Sequence, residues 1–176
     1  MTARKNPLVV NAAELVRQPG SHRRVDVDVS RDEVGLADPR LTGDVTVAVD
    51  VESTLDDVVV TGRLSTSWRD QCSRCLRPLS GVLEVSVDER WAEPGSEGDG
   101  AFPIVDGQID LGPMVREEVL LAMPDAPLCR PDCPGLCPVC GADLAQGACG
   151  CDTSVRDERW AVLDQLRDEL PSSGPS

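Results

Sequence analysis

The chain has 176 residues, with 17 Lys and Arg against 31 Asp and Glu, a formal net charge of -14 and a pI of about 4.3. That length suits one body with a small appended module and excludes two large hydrophobic cores, while the charge argues against a general polyanion-binding surface. Tyr is absent and Phe102, Trp68, Trp91 and Trp160 are the only aromatics, so the stacking platform of most single-strand RNA modules is missing too.

Residues 1–24 form a basic N-terminal segment: Arg4, Lys5, Arg17, Arg23 and Arg24 stand against Glu14 alone, a net of +4, which leaves -18 on the remainder. This segment is either a basic arm able to touch phosphates or a solvated extension. It holds no apolar run followed by a small-residue cleavage site, and no stretch of the chain approaches ~20 apolar residues. The expectation is therefore a cytoplasmic protein with no membrane partner.

Residues 25–124 read as a β-rich body. Val25, Val27 and Val29 alternate with polar residues over 25–30, and Val45, Val47, Val49 and Val51 alternate with Asp44, Thr46, Asp50 and Glu52 over 44–52. A third run covers 58–68 and a fourth 82–91, with Leu83, Val85, Val87 and Trp91 inward; this period of two marks strands with one buried face. The gaps 53–57 and 69–81 are too short for crossover helices, which predicts antiparallel pairing in an open sheet or a partly closed barrel. Acidic residues on the outer strand faces read as guards against edge pairing. After a polar loop at 92–100, residues 102–111 read as a short hairpin turning at Asp106-Gly107.

From Asp110 the period becomes helical, with Leu111, Val115, Val119 and Ala122 on one face and Arg116, Glu117 and Glu118 polar. Asp110 can cap this helix, predicted over 110–123, and Pro124 stops it. A second helix is expected over 154–170, with Trp160, Leu163 and Leu166 on one face, followed by a disordered tail at 171–176. The fold class is thus α+β: a sheet with a packed helix, then a small Cys-rich module and a C-terminal helix.

The module, residues 125–153, holds six of the eight cysteines among Pro and Gly and has almost no apolar content. Ordering its backbone costs roughly 1–2 kcal/mol per residue, which burial cannot supply here. In a reducing compartment, cysteines at such spacing are metal ligands rather than disulfides, and thiolate-bound zinc supplies roughly 10–16 kcal/mol per site. Cys72 and Cys75 form a C-x2-C pair between the third and fourth strands, enough for half a tetrahedral site. Downstream lie Cys129, Cys133, Cys137, Cys140, Cys149 and Cys151, and CPVCG at 137–141 is the knuckle of zinc ribbons. One partition joins Cys137, Cys140, Cys149 and Cys151 in one site and Cys72, Cys75, Cys129 and Cys133 in another. A rival partition places a single zinc among the downstream six and leaves Cys72 and Cys75 as a redox pair or a half-occupied site. Either way the zinc, one ion or two, is structural, because four thiolates leave no open position for water.

Catalysis finds little support. His22 is the only histidine and stands beside Arg23 and Arg24, and there is no Ser/His/Asp arrangement, P-loop or GxGxxG. The order of parts does resemble a known family. The valine-rich sheet interrupted by CSRCLRPL (72–79), the stretch IDLGPMVREEVLLAMPDAPLC (109–129) and the tail C-x3-C-x-G-L-C-P-x-C-G-x-x-L resemble the bacterial YceD family, described as large ribosomal RNA subunit accumulation proteins. The resemblance spans roughly residues 7–168. It implies a non-enzymatic ribosome biogenesis factor supporting synthesis, processing or accumulation of large-subunit ribosomal RNA, and assigns no catalytic residue. Phosphate neutralisation needs Lys and Arg, so the acidic body points to a basic ribosomal protein or assembly factor as partner, with large-subunit rRNA precursor touched at most by the N-terminal arm. Two alternatives stand beside it: a redox-regulated zinc protein, as thiol switch or holdase, and a thioredoxin-like enzyme at Cys72-Ser-Arg-Cys75, which lacks the expected βαβ context.

Overall fold

The computed structural model describes residues 6–55, 57–93, 95, 100–152 and 159; the helix expected over 154–170 and the tail at 171–176 lie outside the described residues save for Arg159. The elements in chain order are β1 (Val9–Asn11), α1 (Ala12–Val16), β2 (His22–Val29), β3 (Val45–Ser53), β4 (Val58–Gln71), β5 (Pro78–Ala92), β6 (Phe102–Pro103), β7 (Gln108–Asp110) and α2 (Gly112–Ala122), followed by a single 3-10 turn at Leu144–Gln146. The architecture is α+β. None of the described helices is long and apolar enough to cross a membrane.

The main sheet has the order β2-β3-β4-β5-β6 and is open rather than closed. Its first four strands form the expected antiparallel meander. β6 adds two residues parallel to the end of β5, so the sheet is mixed. Valine alternation drives β3: Val45, Val47, Val49 and Val51 are fully buried on the inner face, and their partners Val25, Val29, Val60 and Leu64 complete that layer. β-branched residues on a pleated, half-buried surface are what this period selects.

Gly62 sits within β4 at φ +152°, where an added Cβ would lie 2.3 Å from the Ala48 carbonyl oxygen and 2.6 Å from Val49 Cα. The glycine lets β3 and β4 approach at a point that any side chain would prop open.

The residues read as a hairpin at 102–111 divide between two sheets. Asp106 (φ 51°) and Gly107 (φ 66°) do form the tight turn, with reciprocal hydrogen bonds between Val105 and Gln108 at 3.0 and 2.9 Å. Beyond that single rung β6 joins β5, whereas β7 pairs with β1 in a separate two-stranded sheet. The N-terminal segment is correspondingly built into the body from residue 6 onward: Leu8, Val10, Ala12 and Leu15 are buried in the common core, and Arg23 and Arg24 lie on β2.

The loop between β2 and β3 also enters the core, through Val34, Leu36 and Leu41. Arg40 anchors it. Its guanidinium bonds Asp38 (2.7 Å) and the Pro124 carbonyl (2.9 Å), with Asp70 at 3.5 Å, so one side chain ties this loop to the ends of β4 and α2. The Asp38 carboxyl is held below the usual carboxylate range by the hydrogen bonds it accepts from the Arg40 side chain and backbone.

Helix α2 packs against β5, and its Met114, Val115 and Val119, with Leu111 just ahead of it, are buried in the common core. Asp110, the expected cap, accepts from the Gly112 amide at 2.9 Å, but the N-cap position is Leu111, one residue further on. Glu118, expected among the polar face, is half-buried instead. Burial, then the charges of Glu89 on β5 and of Glu117, push its carboxyl above the usual value, and it shares a hydrogen bond with Glu89.

A carboxyl raised in the fold costs stability when charged, and the cost vanishes as pH falls through its folded value and below its unfolded one. Glu118→Gln should therefore raise the thermal midpoint at neutral pH and leave it unchanged below the carboxylate range, as read by circular dichroism melts at the two pH values.

Candidate metal centre

The connection between β4 and β5 is a knuckle. The Cys72 amide donates to the Arg77 carbonyl at 2.8 Å, and the Leu76 amide donates back to the Cys72 carbonyl at 2.9 Å. The second C-x2-C run repeats this arrangement, with Cys137 N–H to Ala142 at 2.8 Å and Gly141 N–H to Cys137 at 2.8 Å. In both, the residue after the second cysteine takes a left-handed conformation, Leu76 at φ 58° and Gly141 at φ 73°. In both, amides two and three residues on turn toward the first sulfur. The Cys72 thiol is thereby lowered to about 6, mainly by the Cys75 amide and further by those of Cys129 and Arg74. Cys137 is lowered to about 6 by the amides of Cys140 and Val139.

The module brings the other cysteines to these knuckles. Ser73 N–H reaches the Pro127 carbonyl (2.8 Å), Leu136 N–H the Arg74 carbonyl (3.1 Å), and the Arg74 guanidinium the Cys133 carbonyl (2.9 Å). Arg77 and Asp143 add an ion pair at 2.9 Å. Gly135 at φ 79° passes so close that a Cβ would lie 3.1 Å from the Arg74 carbonyl. The small second core of this region consists of Cys72, Cys75 and Cys133 with Leu79, Cys129 and Leu136 against them, so sulfur supplies most of its apolar mass.

All eight sequence-predicted cysteines fall into two groups of four: Cys72, Cys75, Cys129 and Cys133, and Cys137, Cys140, Cys149 and Cys151. Within each group the four sulfurs lie within 4.8 Å of one another. The sulfur separation is 3.8 Å for Cys72 and Cys133 and 3.7 Å for Cys75 and Cys129. A disulfide needs about 2.05 Å, and a tetrahedral ion with metal–sulfur bonds of about 2.3 Å sets sulfurs about 3.8 Å apart. The spacing fits the second case, and each group could hold a metal ion. The rival partition, a single downstream site with Cys72 and Cys75 apart, is not the arrangement that forms.

The remaining thiols show what a cation would do. Cys129 is pushed up to about 12 by its hydrogen bond to Cys133 and by burial, and Cys151 to about 12 by its bonds to Cys140 and Cys149. Cys75, although the Arg77 amide donates to it, is held above its usual value by burial and by Cys72 and Cys133. One thiolate per group is thus favoured by amides, and further ionisation is opposed by crowding, which a central cation removes. The groups differ in depth: Cys72 and Cys133 are buried and Cys129 half-buried, whereas Cys140 is exposed. The RPL of the CSRCLRPL motif has a structural part here: Arg77 bonds Asp143 and Leu79 packs against the sulfurs of the first group.

A family model described as large ribosomal RNA subunit accumulation protein YceD matches residues 60–167. An uncharacterized protein of Mycobacterium tuberculosis is 36% identical over 170 residues, covering 92% of this chain and 82% of that protein. One of Mycobacterium leprae is 33% identical over 178 residues, covering 96% and 82%. The chloroplastic large ribosomal RNA subunit accumulation protein YCED homolog 1 of Arabidopsis thaliana is 30% identical over 69 residues, which is 39% of this chain and 22% of that one. No solved structure matches significantly.

Two outcomes follow from this geometry. Metal analysis with native mass spectrometry should find one metal ion per group, with Cys72→Ser removing one ion and Cys149→Ser the other; loss of both ions, or of neither, in either variant would contradict independent centres. Leu76→Gly should stabilise the chain by roughly 0.5–1 kcal/mol in urea unfolding, since it relieves a left-handed residue at an exposed position.

Proposed function

The chain belongs to the YceD family of large ribosomal RNA subunit accumulation proteins, and we propose that it is a non-enzymatic, cytoplasmic factor in large-subunit ribosome biogenesis whose two cysteine groups each bind structural zinc. The family match over residues 60–167 carries this reading, because it spans β4, β5, α2 and both cysteine groups, the parts on which the local architecture depends.

The chemistry of the groups supports a structural role. Four sulfurs complete the coordination of a tetrahedral zinc, so no position is left for a water or a substrate. What zinc supplies there is cross-linking: Cys72 and Cys75 belong to the long β4-β5 hairpin, Cys129 and Cys133 to the module, and one ion would join them.

Charge supports an indirect relation to RNA. A formal charge of -14 counts the thiols as neutral, and each filled group would carry a formal charge of about -2. Arg74, Arg77 and Arg130 lie around the first group, but Arg77 pairs with Asp143, Arg130 with Asp132, and Arg74 bonds the Cys133 carbonyl. A surface of this kind repels a phosphate backbone and attracts cationic protein segments. The partner under this reading is a basic ribosomal protein or an assembly factor, and RNA precursor is held through it.

Affinity capture of the full chain from lysate of its native cell at low salt should recover large-subunit ribosomal proteins and precursor RNA, and removal of the gene should lower large-subunit relative to small-subunit ribosomal RNA. Capture lacking any ribosomal component, together with an unchanged RNA ratio, would refute the proposal.

A further inference from the structure

β5 is fifteen residues long, and only its last two, Trp91 and Ala92, have a described partner on the side away from β4. Over Pro78–Arg90 no described strand lies there, and none of the additional backbone hydrogen bonds among the described residues falls on residues 78–90. The Ala92 carbonyl accepts from the amide of Ile104, the residue that follows β6, so Ala92 faces away from β4. In an antiparallel strand successive residues alternate between neighbours, and the register with β4 runs unbroken from Val58 opposite Trp91 to Gln71 opposite Pro78. Val82, Glu84, Ser86 and Asp88 therefore present their N–H and C=O groups outward, all four with exposed side chains.

Such an edge templates a further strand. Charge decides what kind. Along the outward row Glu84 and Asp88 flank Ser86, and on the other face Glu89 meets Glu118 and Glu117 of α2. The cations nearby are Arg90, paired with Asp57 at 3.2 Å, Arg63 across from Ser86, and Arg116 on α2. On the inner face Glu89, Glu117 and Glu118 outnumber Arg116, and on the outward row Arg90 is already engaged by Asp57, which leaves Glu84 and Asp88 against Arg63 alone. A second copy of the chain is disfavoured: antiparallel pairing about Ser86 would set Glu84 directly opposite Asp88, and like charges in that position destabilise. The carboxylates that repel a copy attract a strand of opposite charge.

We infer that the outer edge of β5 from Val82 to Asp88 is a docking site for an extended Arg- or Lys-rich segment of a partner protein, taken up as an added strand with its cations against Glu84 and Asp88. Its ribosomal origin rests on the function proposed above; the edge chemistry does not.

The test uses the full metal-loaded chain and a fluorescent ten-residue peptide of alternating Arg and Val. Ser86→Pro deletes an outward N–H that β4 does not use, a position where edge strands tolerate proline. It should leave the far-UV spectrum and metal content unchanged and weaken peptide binding about tenfold or more. The double variant Glu84→Lys, Asp88→Lys should weaken it at least as much, and Ser86→Ala should not. Wild-type affinity in folded Ser86→Pro, affinity indifferent to the charge reversal, or a dimer of the wild-type chain that Ser86→Pro dissolves would each overturn the inference. If Ser86→Pro proves misfolded, the charge-reversed variant alone decides. Ribosomal capture that fails while the peptide still binds at this edge refutes the proposed function and leaves the docking site standing.

Discussion

Four sulfurs held within 4.8 Å of one another, twice, are the constraint on which residues 125–152 depend. Thiols so close cannot all ionise unaided, and neutral thiols attract one another only weakly. The chain nonetheless fixes the positions with directed backbone groups: two amides aimed at the first cysteine of each knuckle, and the reciprocal bonds that close each turn. This is preorganisation of an anion cage before its cation. The arrangement also explains why the module forms no core in the ordinary sense. Leu79 and Leu136 are the two non-cysteine hydrophobics packed against the sulfurs, too little apolar surface to offset the ordering of nearly thirty residues.

The length of β4 and β5 is the second half of that arrangement. A hairpin of fourteen continuous pairs carries Cys72 and Cys75 beyond the valine core, where residues 125–152 fold back upon the tip. A shorter hairpin would leave the first group with two ligands. The same length leaves β5 exposed as an edge, so the feature that completes the metal cage also creates the unpaired strand. Both ends of the sheet's chemistry thus come from one topological choice.

What could be read from the sequence was what depends on local period. Valine alternation in β3, the helical spacing of Leu111, Val115 and Val119, and the C-x2-C knuckles each impose their geometry within a few residues, and each is present. What could not be read depends on distant partners. β1 pairs with β7 some hundred residues away, so the basic N-terminal segment carried no local sign that Leu8 and Val10 are buried. Leu36 and Leu41 enter the core from an irregular loop, where no period announces burial. Asp106-Gly107 signalled its turn correctly but not that the two arms leave for different sheets. Leu76 hid the equivalence of the two knuckles, because a leucine stands where Gly141 marks the left-handed turn.

The electrostatic consequence runs against the most direct reading of the family description. A protein tied to ribosomal RNA is expected to grip phosphates, yet among the described residues Arg24 is held by Asp26 and Asp50, Arg40 by Asp38 and Asp70, Arg77 by Asp143, Arg90 by Asp57 and Arg130 by Asp132. Filling the cysteine groups deepens the negative field rather than relieving it. Assembly of a large ribonucleoprotein, however, sets a complementary problem, since its proteins carry cationic segments that fold only against RNA and bind any polyanion until then. An acidic body with an open strand edge beside a cysteine-tipped hairpin suits the holding of such a segment. Its affinity would fall as salt screens the contact and as RNA, with its higher charge density, competes for the same cations. Under the proposed function, that competition would itself hand the segment from the protein to the RNA.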